Sequence, residues 1–296
     1  MLLTELFGQR KFVITGEVGP PKGIQINDLL HSADKHLRCV DAINVTDCQA
    51  SMMKLGSLAT CKALLDHGHT PVFQLVCRDR NRIALQSDLL SAAFFGINNV
   101  LLLTGDHTTL GDAPESKPVY DLDSVSLIQA AAALEKGFDL NGNKLEGELP
   151  RFAKGAVVSP CSDNVDVQLF KMLAKVNAGA DFFQTQTVYE PEKFIDFMEI
   201  ASGFGVPVML GMVILKSANM ARFMNKNIAG VSIPQGIIDE LDNDKDKARS
   251  GVTGVNIATR VINECQEFCQ GLHIMPMGWD DKVAEVLTGL KNKRNS

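Results

Sequence analysis

The sequence predicts a single (β/α)8 TIM barrel, and three observations support this prediction. Eight short apolar segments rich in β-branched residues alternate with helical patterns over most of the 296 residues. Several of these segments are nearly continuous hydrophobic runs, as is typical of parallel strands that are covered on both faces. The length suits one α/β barrel, which needs about 250 residues. A doubly wound sheet is the alternative, but no glycine-rich nucleotide motif follows an early strand.

Strands and helices are predicted in alternation along the chain. The strands are expected at 11–18, 42–46, 71–77, 99–105, 156–160, 182–187, 207–214 and 272–277. The helices are expected at 27–37, 54–67, 82–95, 124–136, 164–178, 190–203, in a broken stretch from 218 to 270, and at 280–290. Either Asp163 or Asn164 is a typical helix cap, and the pair Glu190-Pro191 is a typical helix start. The order of elements therefore predicts one strand and one helix per repeat.

The whole chain, 1–296, is predicted to form one domain with two surface insertions. Residues 137–154 are polar and rich in glycine, which indicates a surface loop or a small hairpin. Residues 225–250 contain a short extra helix followed by a run of charges. Such a run is more typical of a solvated surface than of a binding surface.

Composition excludes several classes of function. The net charge of −6 argues against nucleic acid or an anionic membrane as a partner. The sequence has no run of 18 apolar residues, so no membrane span is predicted. The first residues do not resemble a secretion signal. The seven cysteines form no C-x-x-C motif, so we expect reduced thiols in the cytoplasm.

The first strand ends in an unusual acidic motif. Glu17 lies within an apolar strand, just before Pro20 and Pro21. Burying a carboxyl group is costly unless it has a partner or a function, and burial favours its protonated form. Because catalytic residues of such barrels lie at the carboxyl ends of the strands, Glu17 is a candidate acid. A structural ion pair is the alternative.

Later strand ends carry further polar groups. Arg78, Arg80 and Arg82 follow the third strand and predict either recognition of phosphate or carboxylate, or salt bridges at the start of a helix. After the fourth strand, a glycine precedes Asp106, which we expect to project into the barrel mouth. In the sixth strand, Gln184 and Gln186 share one face and suit a polar ring such as a pterin or a purine. Hydrogen bonding within the core is the alternative there.

These strand ends, taken in order, resemble the catalytic domain of the methylenetetrahydrofolate reductase family. The resemblance runs over most of the chain and rests on five segments in register. They are Glu17-Val18-Gly19-Pro20-Pro21, Leu103-Thr104-Gly105-Asp106, the run from Lys175 to Asp181, Thr185-Gln186, and Ile233-Pro234.

The resemblance implies a flavin enzyme that transfers hydride to 5,10-methylenetetrahydrofolate and forms 5-methyltetrahydrofolate. It implies that Glu17 is the general acid, that Asp106 stabilises positive charge, and that Gln186 holds the pterin, with Gln184 a weaker candidate. The residues that it implies for the cofactor are Thr46, Arg78, Thr104, Gly105, Asp106 and Lys175.

Four departures from the family pattern bear on the flavin. Gln74 stands where many relatives have histidine, Thr104 where many have arginine, Val158-Ser159-Pro160 replaces a tyrosine-bearing motif, and Ala174 replaces an arginine. These positions contact the dinucleotide in the larger family, so both FAD and FMN remain candidates.

Partners and other classes of function follow from the same comparison. The electron donor implied is NAD(P)H or a partner redox subunit, within a hetero-complex or a homo-oligomer. Cys265 and Cys269 either donate to a shared cluster or, as is more usual, pack in the core. The alternatives to a reductase are a flavin-free methyltransferase barrel that binds a pterin, and a non-catalytic barrel subunit.

Overall fold

A computed structural model describes residues 1–243 and 251–291, and it shows a closed barrel of eight parallel strands. Each strand pairs with its neighbours in sequence, and the first pairs with the last. The predicted (β/α)8 fold is therefore confirmed. The strands are β1 (Val13–Val18), β2 (Ala42–Val45), β3 (Pro71–Val76), β4 (Asn99–Leu103), β5 (Ala153–Val158), β6 (Phe182–Thr187), β7 (Val208–Val213) and β8 (Gly271–Met275).

Helices surround this barrel and cover its outer face. The predicted cap at the start of the sixth helix is confirmed for Asn164, whose Oδ1 accepts a hydrogen bond from the Val167 amide. Glu190 provides no side-chain cap, and Pro191 takes the first position of its helix. The helices are α1 (Leu3–Gly8), α2 (Asn27–His36), α3 (Ser57–Asp66), α4 (Arg82–Phe94), α5 (Ser124–Glu135), α6 (Val165–Ala178), α7 (Pro191–Ala201), α8 (Ala218–Asn227), α9 (Gln235–Asn243), α10 (Val252–Cys265) and α11 (Val283–Thr288).

The interior of the barrel changes from apolar to polar along its axis. Alternate residues of each strand point inward, so one strand contributes to successive layers. The layer at the amino end is apolar and contains Val13, Ala42, Val72, Leu101, Ala153, Phe182 and Met209. The next layer contains the buried polar residues Thr15, Asn44, Gln74, Gln184 and His273. The polar layer is the floor on which a site at the carboxyl end rests.

The short helix α1 closes the amino end of the barrel, and the sequence did not predict it. Leu3 and Leu6 are buried in the apolar layer, and the ring of Phe7 lies 5.9 Å from that of Phe182. The Leu3 amide donates to Asn99 Oδ1 at 2.8 Å. A helix of six residues is too short to show a 3.6-residue period. It forms here because its apolar side chains pack against the apolar end of the barrel.

The first predicted insertion extends too far. Phe138 and Lys144 form an antiparallel bridge, in agreement with a small hairpin. However, β5 begins at Ala153, three residues before the predicted start at 156, so the last two residues of the insertion belong to the barrel. Lys154 is buried, because its ammonium group pairs with Glu135 at 2.6 Å and Asp181 at 2.9 Å. The expectation of a surface loop through residue 154 was therefore wrong at its end.

The second predicted insertion includes helical structure as expected. Helix α8 ends at Asn227, and the extra helix α9 follows at Gln235–Asn243. The greater part of the charged run lies at 244–250, outside the described residues. Within the described residues, no helix combines the length and apolarity needed to cross a membrane.

Candidate active site at the carboxyl end of the barrel

A cavity of about 690 Å³ opens at the carboxyl ends of the strands. Its volume lies within the range of sites that bind small molecules and cofactors. Every site residue that the sequence predicts lines this cavity except Thr46, which is buried beside it. The predicted residues on its wall are Glu17, Arg78, Thr104, Gly105, Asp106, Lys175, Gln184 and Gln186.

Glu17 reaches the cavity from β1, and its side chain is only 9% exposed. Two nitrogen atoms approach one of its carboxyl oxygens, Oε2. Gln74 Nε2 donates to it at 3.2 Å, and His273 Nε2 lies 3.5 Å away. Because no Lys or Arg forms an ion pair with it among the described residues, the structural ion pair considered from the sequence reduces to the contact with His273.

Beneath Glu17, four buried side chains form one hydrogen-bonded group. Gln184 and Asn44 exchange two bonds, at 2.8 and 3.2 Å. Gln184 Nε2 also donates to Thr15 Oγ1 at 3.3 Å, and Thr15 Oγ1 lies 2.9 Å from His273 Nδ1. The amide of Gln184 is thus used inside the protein, whereas the amide nitrogen of Gln186 faces the cavity with no hydrogen bond to the described residues. Of the two glutamines, Gln186 is the better placed to bind a ligand.

A tight turn presents Asp106 on the opposite wall. Gly105 has φ of +90°, and a Cβ there would lie 3.1 Å from Val76 Cβ and 3.2 Å from Arg78 Cβ. Glycine is therefore required by both the backbone conformation and the close approach of β3. The Tyr120 hydroxyl donates to the carbonyl of Asp106 at 2.9 Å and holds the turn. The side chain of Asp106 itself is exposed to the cavity.

The three arginines after β3 are paired with carboxylates. Arg78, which is 2% exposed, binds both carboxylate oxygens of Asp79 and donates to the carbonyl groups of Cys48 and Asp106. Arg80 pairs with Asp47 and Asp88, and Arg82 with Asp121. Of the two explanations that the sequence left open, salt bridges near the start of α4 are therefore the one seen. Arg78 acts on the site by fixing the loops after β2 and β4.

Lys175 supplies a cation to the cavity from α6. Its ammonium group donates to the Val157 carbonyl at 2.6 Å, and it forms no ion pair with a carboxylate of the described residues. Burial, together with repulsion from Lys171, lowers the pKa of Lys175 to about 8, although Asp123 opposes this shift. A desolvated cation with spare N–H donors favours an anionic ligand, because an anion would replace the water that it has lost.

A sequence model of the methylenetetrahydrofolate reductase family matches residues 2–291, nearly the entire chain. The chain belongs to the methylenetetrahydrofolate reductase family. The resemblance carried by the five sequence segments is thereby confirmed.

Named relatives of this reductase family are distant and longer. Methylenetetrahydrofolate reductase 2 of Schizosaccharomyces pombe is 25% identical over 80% of this chain and 39% of its own length. A probable methylenetetrahydrofolate reductase (NADPH) of Caenorhabditis elegans is 22% identical over 79% of this chain and 34% of its own. The chain thus spans well under half the length of the curated relatives that it matches.

Solved structures share the fold of this family member. An uncharacterised protein from Clostridium thermocellum, described as binding two copies of 5-methyl-5,6,7,8-tetrahydrofolic acid, has a TM-score of 0.67 at 18% identity. The match covers 97% of this chain and 98% of the Clostridium thermocellum chain. A 2,3-dimethylmalate lyase has a TM-score of 0.53 at 12% identity, over 99% of this chain and 90% of its own. At such low identity these likenesses show the barrel alone.

Sequence reasoning missed several residues of this reductase-family site. Lys171, which also lines the cavity, lies one helical turn before Lys175, and this spacing was the available signal. Thr15, Asn44 and His273 were missed because each stands between neighbours that have no polar side chain. Their common signal is the period of two that places them in one interior layer. Their meeting in space depends on closure of the barrel.

Proposed function

We propose that this chain reduces 5,10-methylenetetrahydrofolate to 5-methyltetrahydrofolate with the help of a bound flavin. The observation that carries the proposal is the meeting of a shielded carboxyl group (Glu17), an exposed carboxylate (Asp106), a ligand-facing amide (Gln186) and a half-buried cation (Lys175) in one cavity. Membership of the family supports it. The binding of 5-methyltetrahydrofolic acid by the Clostridium thermocellum protein of the same fold also supports it.

Glu17 serves as the general acid in this proposal. The bridging carbon of the substrate must first be freed from one of its two nitrogens. Glu17 donates its proton to the leaving nitrogen, the carbon–nitrogen bond breaks towards that nitrogen, and an iminium cation remains on the pterin side. The enclosed position of Glu17 suits this role, because a general acid must be held within reach of the nitrogen that it protonates and apart from bulk water.

Asp106 and Gln186 complete the proposed substrate site. Asp106 projects a carboxylate into the cavity, where negative charge stabilises a developing cation. Gln186 Nε2 carries two N–H groups. Gln186 Oε1 accepts a hydrogen bond from the Thr187 amide at 3.0 Å, which fixes the orientation of the side chain. An amide held in this way suits the donors and acceptors of a pterin edge.

The residues at the other side of the cavity fit a flavin. A flavin, when bound, supplies a hydride to the iminium carbon. Lys175 and Lys171 would hold its phosphate, and Thr104 and the backbone of Gly105 would line its position. The uncompensated charge of Lys175 is the observation that supports this fit. Both FAD and FMN carry a phosphate, so either satisfies the donors seen here.

A spectrum of purified protein tests the proposal. We expect the full chain, purified without oxygen, to show flavin absorption that bleaches on photoreduction and returns when 5,10-methylenetetrahydrofolate is added. Release of the cofactor by heat and its chromatography would separate FAD from FMN. A colourless protein that binds neither added flavin would overturn the proposal and would favour a flavin-free methyltransferase barrel or a non-catalytic subunit.

The electron donor is proposed to be NAD(P)H or a partner redox subunit. The Caenorhabditis elegans relative is named for NADPH, which supports NAD(P)H as the donor. Cys265 and Cys269 were considered as ligands of a cluster shared with a partner. Both are buried, and burial raises the pKa of the Cys265 thiol, so core packing explains this pair.

The rate of flavin reduction distinguishes the two donors. Rapid reduction of the flavin by NADPH or NADH would favour a free-standing enzyme or homo-oligomer. Reduction only in the presence of a co-purifying protein would favour a hetero-complex.

Replacement of Asp106 by Asn is expected to slow folate reduction by about tenfold without loss of flavin. The variant keeps the size of the side chain and removes the charge that stabilises the cation. Removing one preorganised electrostatic contact slows a reaction by about 100- to 1,000-fold in enclosed sites, and the exposure of Asp106 reduces this effect. Stopped-flow reoxidation of the photoreduced flavin by the folate measures the step. Asp166→Asn, an exposed site on α6 away from the cavity, is the matched control; equal rates for both variants would contradict the role of Asp106.

A further inference from the structure

The buried group beneath Glu17 has enough hydrogen bonds to locate its protons. Gln184 Nε2 carries two hydrogens, and they are donated to Asn44 Oδ1 at 3.2 Å and Thr15 Oγ1 at 3.3 Å. Gln184 Oε1 accepts from Asn44 Nδ2 at 2.8 Å. The Gln184 amide therefore acts only as a donor to Thr15, and the Thr15 hydroxyl must place its own hydrogen elsewhere.

The acceptor for that hydrogen is His273 Nδ1, which lies 2.9 Å from Thr15 Oγ1. Thr15 is fully buried, and a buried hydroxyl group without an acceptor is costly. Because Nδ1 accepts, the ring carries its hydrogen on Nε2 and is neutral. Thr15 thus selects one tautomer of His273.

The other ring nitrogen faces the carboxyl group of Glu17. His273 Nε2 lies 3.5 Å from Glu17 Oε2, and Gln74 Nε2 donates to the same oxygen at 3.2 Å. A hydrogen on Oε2 would lie close to the Gln74 N–H group that donates to this oxygen and to the Nε2–H group of His273, 3.5 Å away. The remaining oxygen, Oε1, is therefore the favoured position for the proton of the acid.

We propose that His273 is a positioning residue, held by Thr15 as the neutral Nε2–H tautomer, which keeps the transferable proton of Glu17 on Oε1. The proposal rests on the proposed function for the identity of the reaction. The Oε1–H bond is the one that breaks when the proton passes to the leaving nitrogen, and Glu17 then becomes a carboxylate. His273 neither gains nor loses a proton in this step.

The surroundings of His273 provide no second charge. In register, its neighbours are Thr15 on β1 and Gly211 on β7, which has no side chain. The other polar side chains of the layer, Asn44, Gln74 and Gln184, are uncharged. Within the described residues, Glu17 is the titratable side chain in contact with this ring. A hydrogen on Nδ1 would thus reverse the hydrogen bond with Thr15 and leave the hydroxyl hydrogen of Thr15 without this acceptor.

The test compares Thr15→Val with Thr15→Ser in the full-length protein. Nitrogen-15 NMR of labelled histidine reports which ring nitrogen carries hydrogen, and His273→Asn identifies the signal among the six histidines. In the natural protein we expect a neutral ring that carries its hydrogen on Nε2. Thr15→Val is expected to move the ring hydrogen to Nδ1 in part of the molecules and to slow folate reduction roughly 10- to 100-fold. Thr15→Ser keeps the hydroxyl group and should restore both properties.

Two results would overturn the proposal. One is a His273 ring in the natural protein that is protonated at neutral pH or carries its hydrogen on Nδ1. The other is a Thr15→Val variant with unchanged NMR signals and an unchanged rate of folate reduction. The NMR experiment on the natural protein requires neither a variant nor activity. A neutral Nε2–H ring in a protein that does not reduce the folate would therefore leave the hydrogen-bonded group intact and refute the proposed function alone.

Discussion

Glu17→Gln is expected to reduce the rate of methylenetetrahydrofolate reduction by at least about 100-fold and to leave flavin binding intact. The amide has nearly the same shape as the carboxyl group, and its oxygen still accepts from Gln74, so the contacts around the side chain persist. It carries no acidic proton, however, and a positioned acid contributes about 100- to 10,000-fold. Without that proton, the negative charge that forms on the leaving nitrogen is not neutralised.

The measurement separates the two half-reactions of the Glu17 variant. Reduction of the flavin by its donor, or by light, should proceed at the normal rate, and reoxidation by the folate should fail. Glu199→Gln, on the exposed side of α7, makes the same exchange away from the site and should behave as the natural protein. Normal turnover of Glu17→Gln would show that the acid lies elsewhere. Loss of flavin together with turnover would indicate a structural role.

Lys154→Met is expected to reduce the free energy of unfolding by about 2–3 kcal/mol. The Lys154 side chain is 7% exposed and lies between Glu135 and Asp181, at 2.6 and 2.9 Å. Without it, two carboxylates on neighbouring elements lose their shared cation. Breaking a buried ion pair from one side costs about 3–5 kcal/mol. We expect less here because the side chains of Glu135 and Asp181 are 23% and 32% exposed, and water compensates them in part.

Urea unfolding followed by circular dichroism measures the effect of Lys154→Met. Arg151→Met is the control, because Arg151 lies three residues earlier, is 70% exposed, and contacts Glu5 at 3.4 Å. A surface pair of this kind contributes at most about 1 kcal/mol. Equal losses in the free energy of unfolding for the two variants would mean that the buried ion pairs of Lys154 add no stability. The explanation given for the start of β5 would then be wrong.

The repeat of strand and helix was predictable because it depends on local periodicity. The eight apolar segments and the helices between them show their periods of 2 and 3.6 within a few residues, whatever the rest of the chain does. Glu17, Asp106 and Gln186 were predictable for a related reason. The fold class states which end of each strand holds the site, and these polar residues stand at that end.

The start of β5 was not predictable in this way. Lys154 is a charged residue next to a glycine-rich polar stretch, which is the usual composition of a surface loop. Its partners lie 19 and 27 residues away in sequence, so the neutralisation that permits its burial exists only after α5 and β6 have packed beside β5. The helix α1 was missed for the same reason, because the closed end of the barrel stabilises it.

The sequence by itself determined the barrel, the end at which its cavity opens, and the acidic residues Glu17 and Asp106 that line it, because each depends on short-range patterns. Tertiary structure alone decided how those residues are held. Thr15 and His273 are 258 residues apart, and they meet only because β1 pairs with β8 when the barrel closes. Hydrogen bonds require contact within about 3 Å, and a linear pattern carries no information on such distances between remote positions.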